Sequence, residues 1–292
     1  MKKNKWKKIF CRMLAVVMSI LMMPTSVFAQ ISVDDAKKIN DDWYKPNQKE
    51  FSSFDSSKAL TVKASYGFRL YKTKNSKFTV EEGKSCKYPT SYNGLDLNIQ
   101  DFQKEYLWFK TSENSVDKIK VKVSNMQIYQ CNDDGSNGHW VKVDMVRTVT
   151  GIEKYKGKDG YIALGENLTN TVYVGLKEVK TTSTFYKAGT NTKVSLKSNV
   201  TLKDIDSKQY IGVKANKVDG QYVSSNTKLS YKEDNGTYIY YADYDDDYDS
   251  QDFTCAAFTF QGDSFEYTFG RNLAEPTRRR SVCRFWPEYD QI

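Results

Sequence analysis

Lys118-Ile119-Lys120-Val121-Lys122-Val123-Ser124 places an apolar β-branched residue at every second position and a lysine between each pair. A period of two buries one face of an extended chain and leaves the other in water, which is the mark of a β-strand at the surface of a core. Val141, Val143 and Met145 repeat the pattern against Lys142 and Asp144, and the segment between holds Cys131, Asn132, Asp133, Asp134, Gly135, Ser136, Asn137 and Gly138. Such residues tolerate left-handed backbone angles and hydrogen-bond locally, so the two strands read as a hairpin with Asp144 on the wet face.

The same alternation extends outward in both directions. Upstream it runs through Leu60, Val62, Ala64, Tyr66, Phe68 and Leu70. Downstream it returns in Val172, Val174 and Leu176, in Phe258 and Phe260, and in Phe265, Tyr267 and Phe269. Leu229-Ser230-Tyr231 and Tyr238-Ile239-Tyr240 flank Asp234-Asn235-Gly236, a strong short-range hairpin signal. Only Val33 to Trp43 offers a short helix, with acids near its start and lysines further on. Many short strands with turns between them and no intervening helices predict an all-β, antiparallel β-sandwich. It is expected as one large sandwich or as two stacked sandwiches divided near Lys154 to Gly160.

The chain opens with Lys2, Lys3, Lys5, Lys7, Lys8 and Arg12, no acid, and a charge-free run from Met13 to Met23. Val27-Phe28-Ala29 follows a break at Pro24, the order of a secretory signal peptide. The run is shorter than the roughly 20 residues that span a bilayer as a helix. Residues 1–29 are therefore expected to be removed between Ala29 and Gln30, with no membrane insertion of the mature chain. Six of the 44 Lys and Arg leave with the signal, so the remaining 38 face 36 Asp and Glu. That near balance argues against a nucleic-acid partner. The expected organisation is a 1–29 signal, a 30–54 linker, a 55–270 β-sandwich domain, and a 271–292 tail. In that tail Arg271, Arg278, Arg279, Arg280 and Arg284 gather, whereas residues 30–270 hold only Arg69 and Arg147. The change of composition and the end of alternation predict a dispensable segment foreign to the domain, left by a truncation or frameshift or else a genuine basic tail.

The stretch from Thr184 to Tyr210 passes through a Gly189-Thr190 turn and a strand carrying Val200, Thr201 and Leu202 into Asp204-Ile205-Asp206. It resembles a segment of the N-terminal adhesin domain in Gram-positive (Firmicutes) surface proteins that carry SpaA-type, prealbumin-like pilin repeats. Val116 to Asn125 with the hairpin into Trp140 to Asp144, and Leu229-Ser230-Tyr231, also look like that domain. The resemblance spans about residues 55–270 and implies a cell-surface binding module rather than a catalyst. It also raises isopeptide cross-linking of a Lys to an Asn beside an acid; Asn125, Asn170 and Asn199 stand near strand ends, but no triple is singled out. No sorting signal or repeat follows residue 270, so the chain reads as the N-terminal part of a longer protein.

Catalytic chemistry finds little support. His139 is the single histidine, which leaves no second imidazole for a multi-histidine metal site, and no nucleophile elbow accompanies it. It reads as a solvated loop residue. Cys86, Cys131, Cys255 and Cys283 are too widely spaced for zinc. Cys255 reads as a small buried hydrophobe, and Cys86 with Cys131 as the pair to consider for a disulfide in an exported protein. Asp243, Asp245, Asp246, Asp247, Asp249 and Asp252 crowd ten positions. Asp243, Asp245, Asp247 and Asp249 form the candidate metal site, for calcium as a hard cation that takes oxygen ligands, against a solvated acidic loop; Asp204 and Asp206 read first as turn-fixing residues. No other cofactor and no catalytic residue is indicated.

These observations predict a secreted or cell-surface, adhesin-like module that binds a host or cell-wall ligand, protein or glycan, through loops or a tyrosine-rich face. The competing class is a secreted carbohydrate-binding module or carbohydrate-active enzyme, since glycoside hydrolysis needs only two suitably spaced carboxylates. Intact mass of the secreted chain is expected to place its first residue at Gln30; a membrane-bound species retaining Met1 would refute cleavage.

Overall fold

The computed structural model describes residues 70–92, 95–96, 106–132, 136–155, 158–166, 168, 170–223, 227–244, 252–271 and 281–283. The signal segment with Ala29 and Gln30, the linker with its expected helix, most of the Leu60–Leu70 strand, and Asp245, Asp247 and Asp249 lie outside them. In chain order the first strands are β1 (Leu70–Tyr71), β2 (Lys77–Glu82), β3 (Ser85–Cys86), β4 (Ser91–Tyr92), β5 (Leu95–Asp96), β6 (Tyr106–Lys110), β7 (Lys120–Gln130) and β8 (His139–Lys154). There follow β9 (Tyr161–Gly165), β10 (Thr171–Val174), β11 (Leu176–Lys187), β12 (Leu196–Leu202), β13 (Gln209–Lys214) and β14 (Gly220–Val223). The last are β15 (Ser230–Asp234), β16 (Thr237–Tyr241), β17 (Ala256–Gly262), β18 (Ser264–Arg271) and β19 (Ser281–Cys283).

The long sheet has the order β1-β7-β8-β11-β18-β13-β16-β15, with β2 also paired to β7. A five-stranded sheet, β19-β10-β9-β6-β3, and a three-stranded sheet, β12-β17-β14, complete the main framework, and β4 pairs with β5. All the ladders among the described residues are antiparallel, as the alternation predicts. β8, which ends at Lys154, and β11, which starts at Leu176 beyond it, are neighbours in the long sheet over most of their length. The chain therefore does not divide into two sandwiches there.

Both smaller sheets cover the same face of the long one. On β18 the side chains of Phe265, Tyr267 and Phe269 project to one side and are at most 1 % exposed. Phe265 meets Phe260 of the three-stranded sheet at 5.0 Å between ring centroids, while Phe269 meets Tyr173 of the five-stranded sheet edge-on at 5.2 Å. Phe185 stacks on Phe260 at 6.2 Å, and Tyr240 reaches Phe258 at 5.9 Å. One strand thus bridges two covering sheets that lie side by side. Burying rings of this size is worth about 1.5–3 kcal/mol each in transfer terms.

Arg147 lies in the middle of this interior, fully buried on β8. Its Nη1 donates to the carbonyls of Gly165 (2.7 Å) and Asn170 (2.6 Å), and its Nη2 to Thr171 Oγ1 (2.8 Å). Thr171 and Tyr267 hydroxyls are 2.6 Å apart. The guanidinium fork therefore ties the long sheet to the β9–β10 turn of the five-stranded sheet. A buried charge survives only where several acceptors replace its water.

Short connections carry the chain between layers. Gly175, at φ +74, is the only residue between β10 and β11, and a Cβ on it would overlap the Tyr92 ring. Asp263 alone separates β17 from β18. Asn235 (φ 48) and Gly236 (φ 66) make the expected tight turn between β15 and β16.

Three local expectations need correction or extension. Asp144 is 2 % exposed instead of wet. Asn125 sits at φ 56 in a bulge of β7, and its N–H donates to Asp144 Oδ1 at 2.9 Å, while the Gly189 N–H donates to Oδ2 at 3.0 Å and Lys122 Nζ stands 3.2 Å away. Burial alone would raise this carboxyl; the two N–H donors and the ammonium outweigh it and hold the group below its ordinary range. Two features of the expected foreign tail belong to the sheets. Arg271 ends β18, buried, with Nε donating to the Ser207 carbonyl at 2.7 Å, and Ser281–Cys283 pairs with Thr171–Tyr173. Cys255 is buried as expected, whereas Cys86 and Cys131 are not joined to one another.

Arg147→Met is expected to lower the unfolding free energy by about 3–5 kcal/mol in urea denaturation, because several buried acceptors lose charged donors at once. A loss below about 1 kcal/mol would show that the guanidinium does not hold the layers together.

Candidate functional site

The inward phase of each strand dictates what it shows outside. With Phe265, Tyr267 and Phe269 inside, β18 presents Glu266, Thr268 and Gly270 outward. With Ile211 and Val213 inside, β13 presents Tyr210, Gly212 and Lys214; with Tyr238 and Tyr240 inside, β16 presents Thr237, Ile239 and Tyr241. The ladder registers then line these residues up in two rows across the sheet. One row is Glu178, Gly270, Tyr210, Tyr241 and Ser230; the next is Lys180, Thr268, Gly212, Ile239 and Lys232.

Each row contains one glycine, Gly270 on β18 in the first and Gly212 on β13 in the second, and Gly270 is the decisive one. A Cβ there would overlap the Tyr210 ring. The phenol lies across β18 in that space and its hydroxyl donates to Glu178 Oε2 on β11. Burial and the neighbouring carboxylate push the Tyr210 phenol well above its ordinary value, so it stays a proton donor at neutral pH.

Around this ring opens a groove of about 580 Å³ lined by Glu178, Lys208, Tyr210, Lys232, Tyr241 and Asp243, with Ile239 and Ala242 at its apolar side. Lys208 Nζ donates to the main-chain carbonyl of Asp243, and Ser230 Oγ donates to the Asp243 carboxylate at 3.4 Å. Lys232 is exposed.

Of the residues singled out for calcium, Asp243 is exposed at the rim of this groove, and Asp245, Asp247 and Asp249 lie outside the described residues. Among the described residues no three His, Cys, Asp or Glu side chains gather closely enough to hold a metal. Asp204 (φ 66), Ser207 (φ 45) and Lys208 (φ 64) belong to a tight turn in which the buried Asp206 accepts the Gln209 N–H through its carbonyl at 2.7 Å. His139 is exposed at the start of β8, with Nδ1 3.1 Å from the Asn137 carbonyl. Asn170 and Asn199 are buried and Asn125 is exposed. Tyr210 and Glu178 escape a reading of alternation. The signal that points to them is glycine inside two strands, Gly212 and Gly270, which marks a place where something approaches the backbone closely.

No protein-family model matches the sequence, and no curated protein matches it. Among solved structures the fold is similar to the N-terminal domain of the Streptococcus gordonii adhesin Sgo0707, with a TM-score of 0.37 and 12 % identity. The match covers 72 % of this chain and 59 % of that one, less than two thirds of its length.

Gly270→Ala is expected to cost about 1–3 kcal/mol of stability, since the added methyl forces the Tyr210 ring off the sheet. In a Tyr210→Ala background the same change should cost much less, and a double-mutant cycle in urea measures the difference. Equal costs in both backgrounds would show that the ring does not occupy this space.

Proposed function

We propose that the protein is an adhesin-like binding module of a bacterial surface, and that the groove on the outer face of the long sheet is its contact surface. The observation that carries this is the Tyr210 ring, held by Glu178 over Gly270 in an open groove on a rigid sheet. Tyrosine supplies a large contact area with a hydrogen-bonding tip and few torsions to freeze. Strands fix such a platform better than loops do. The signal-like N-terminus supports an exported chain, and no helix among the described residues is long and apolar enough to cross a membrane. The resemblance to adhesin domains that precede SpaA-type repeats supports attachment to a Gram-positive cell wall.

The secreted chain, labelled with a fluorophore, is expected to bind host cells or purified cell walls saturably. Tyr241→Ala and Lys232→Glu should weaken that binding about tenfold or more, or about 1.4 kcal/mol, at an unchanged melting midpoint. Full binding by both variants, or steady release of reducing ends from polysaccharides by the wild-type chain, would contradict a non-catalytic module that binds through this groove.

A further inference from the structure

We infer that the groove takes an uncharged, hydroxyl-rich ligand, a segment of neutral glycan with one sugar ring on Tyr210; this rests on the groove being the contact surface. The first reason is the posture of the ring. Tyr210 on β13 and Glu178 on β11 are separated by β18. Strands lie about 4.8 Å apart, so a side chain that crosses a whole strand to reach its partner must lie low along the sheet. Gly270 leaves the room for it. The ring is only part-buried, and an aromatic face open to solvent carries the negative end of its quadrupole. The C–H face of a pyranose, with its weakly positive hydrogens, complements it.

The second reason is charge. Glu178 and Asp243 face Lys208 and Lys232 around the ring, two carboxylates against two ammonium groups. A polyanion would meet the carboxylates and a polycation the ammonium groups. A hydroxyl both donates and accepts, so an array of hydroxyls is served by either sign.

The third reason is unused capacity. Tyr210 takes one oxygen of Glu178, and Oε1 has no hydrogen-bond partner among the described residues. Lys232 likewise has no ion-pair or hydrogen-bond partner among them, although it is exposed beside Ile239 and Tyr241. Lys208, by contrast, is already oriented by the Asp243 carbonyl. The groove thus offers one acceptor and one donor on opposite sides of the Tyr210 ring. Its volume of about 580 Å³ lies in the range that encloses a small organic ligand. In the adjoining row Gly212, which has no side chain, stands next to Ile239.

The test is a titration of the ¹⁵N-labelled secreted chain with short neutral oligosaccharides of glucose, mannose, galactose and N-acetylglucosamine. Heparin and oligolysine serve as charged comparisons. At least one neutral sugar should shift the amides of Gly212, Tyr241 and Gly270, with an affinity that ionic strength leaves unchanged. Tyr210→Ala should weaken that binding about tenfold or more, and Tyr241→Ala, which leaves the Glu178 contact in place, provides a second variant should the first unfold. If only heparin or oligolysine shifts these amides, and does so less as salt rises, the neutral-glycan class is wrong while the groove remains the contact surface. If neutral sugars bind with the groove amides silent, both the ligand assignment and the contact surface are wrong. If no sugar moves any amide, the glycan inference fails.

Discussion

A guanidinium with no access to water holds this structure together. Arg147 reaches from the long sheet to two main-chain carbonyls and a threonine hydroxyl at the β9–β10 turn. An apolar side chain could fill the volume but would strip these acceptors of their charged donors, although the Asn170 carbonyl would keep the Gly165 N–H and Thr171 Oγ1 the Tyr267 hydroxyl. The contact also sets position. It fixes Thr171 against Tyr267, which brings Tyr173 over Phe269 and leaves a single residue, Gly175, to return the chain to the long sheet as β11. Ser183 Oγ donates to the Leu168 carbonyl at 3.1 Å and reinforces the same junction from β11.

Everything on the outer face follows from that inner order. Because side chains alternate, committing Phe265, Tyr267 and Phe269 to the core commits Glu266, Thr268 and Gly270 to the surface. The bulge at Asn125 and the buried carboxylate of Asp144 stiffen the other end of the sheet. On the β11–β15 side the absence of a side chain at Gly270 makes room for the Tyr210 ring, so the groove is a consequence of packing beneath it as much as of the residues that line it.

Much of this was legible along the chain because period two is a local property. Ile119, Val121 and Val123 are buried, Asp234-Asn235-Gly236 turns a hairpin, and Cys255 is internal. What alternation cannot convey is which sheet a strand joins. Phe258 and Phe260 look like a continuation of Phe265, Tyr267 and Phe269, yet they belong to opposite layers, since only long-range pairing decides the partner. Asp144 reads as a wet residue because its partners come from a bulge and from a turn far along the chain. Arg147 is in phase with Met145 and Val149, but its acceptors belong to a turn whose place in space no local pattern predicts. The groove was visible only as glycines in strands, a sign of close approach without the identity of what approaches.

The central claim is that the two covering sheets and the long sheet form one cooperative unit, tied through Arg147 and the Phe265–Phe269 row. Native-state hydrogen exchange in rising denaturant reads this directly, amide by amide. The account predicts that amides of β9 and β10, of β17, and of β11 and β18 converge on one opening free energy as the midpoint is approached. A separate, lower opening free energy confined to β9 and β10 would contradict it, because the five-stranded sheet would then come away while the long sheet stayed folded.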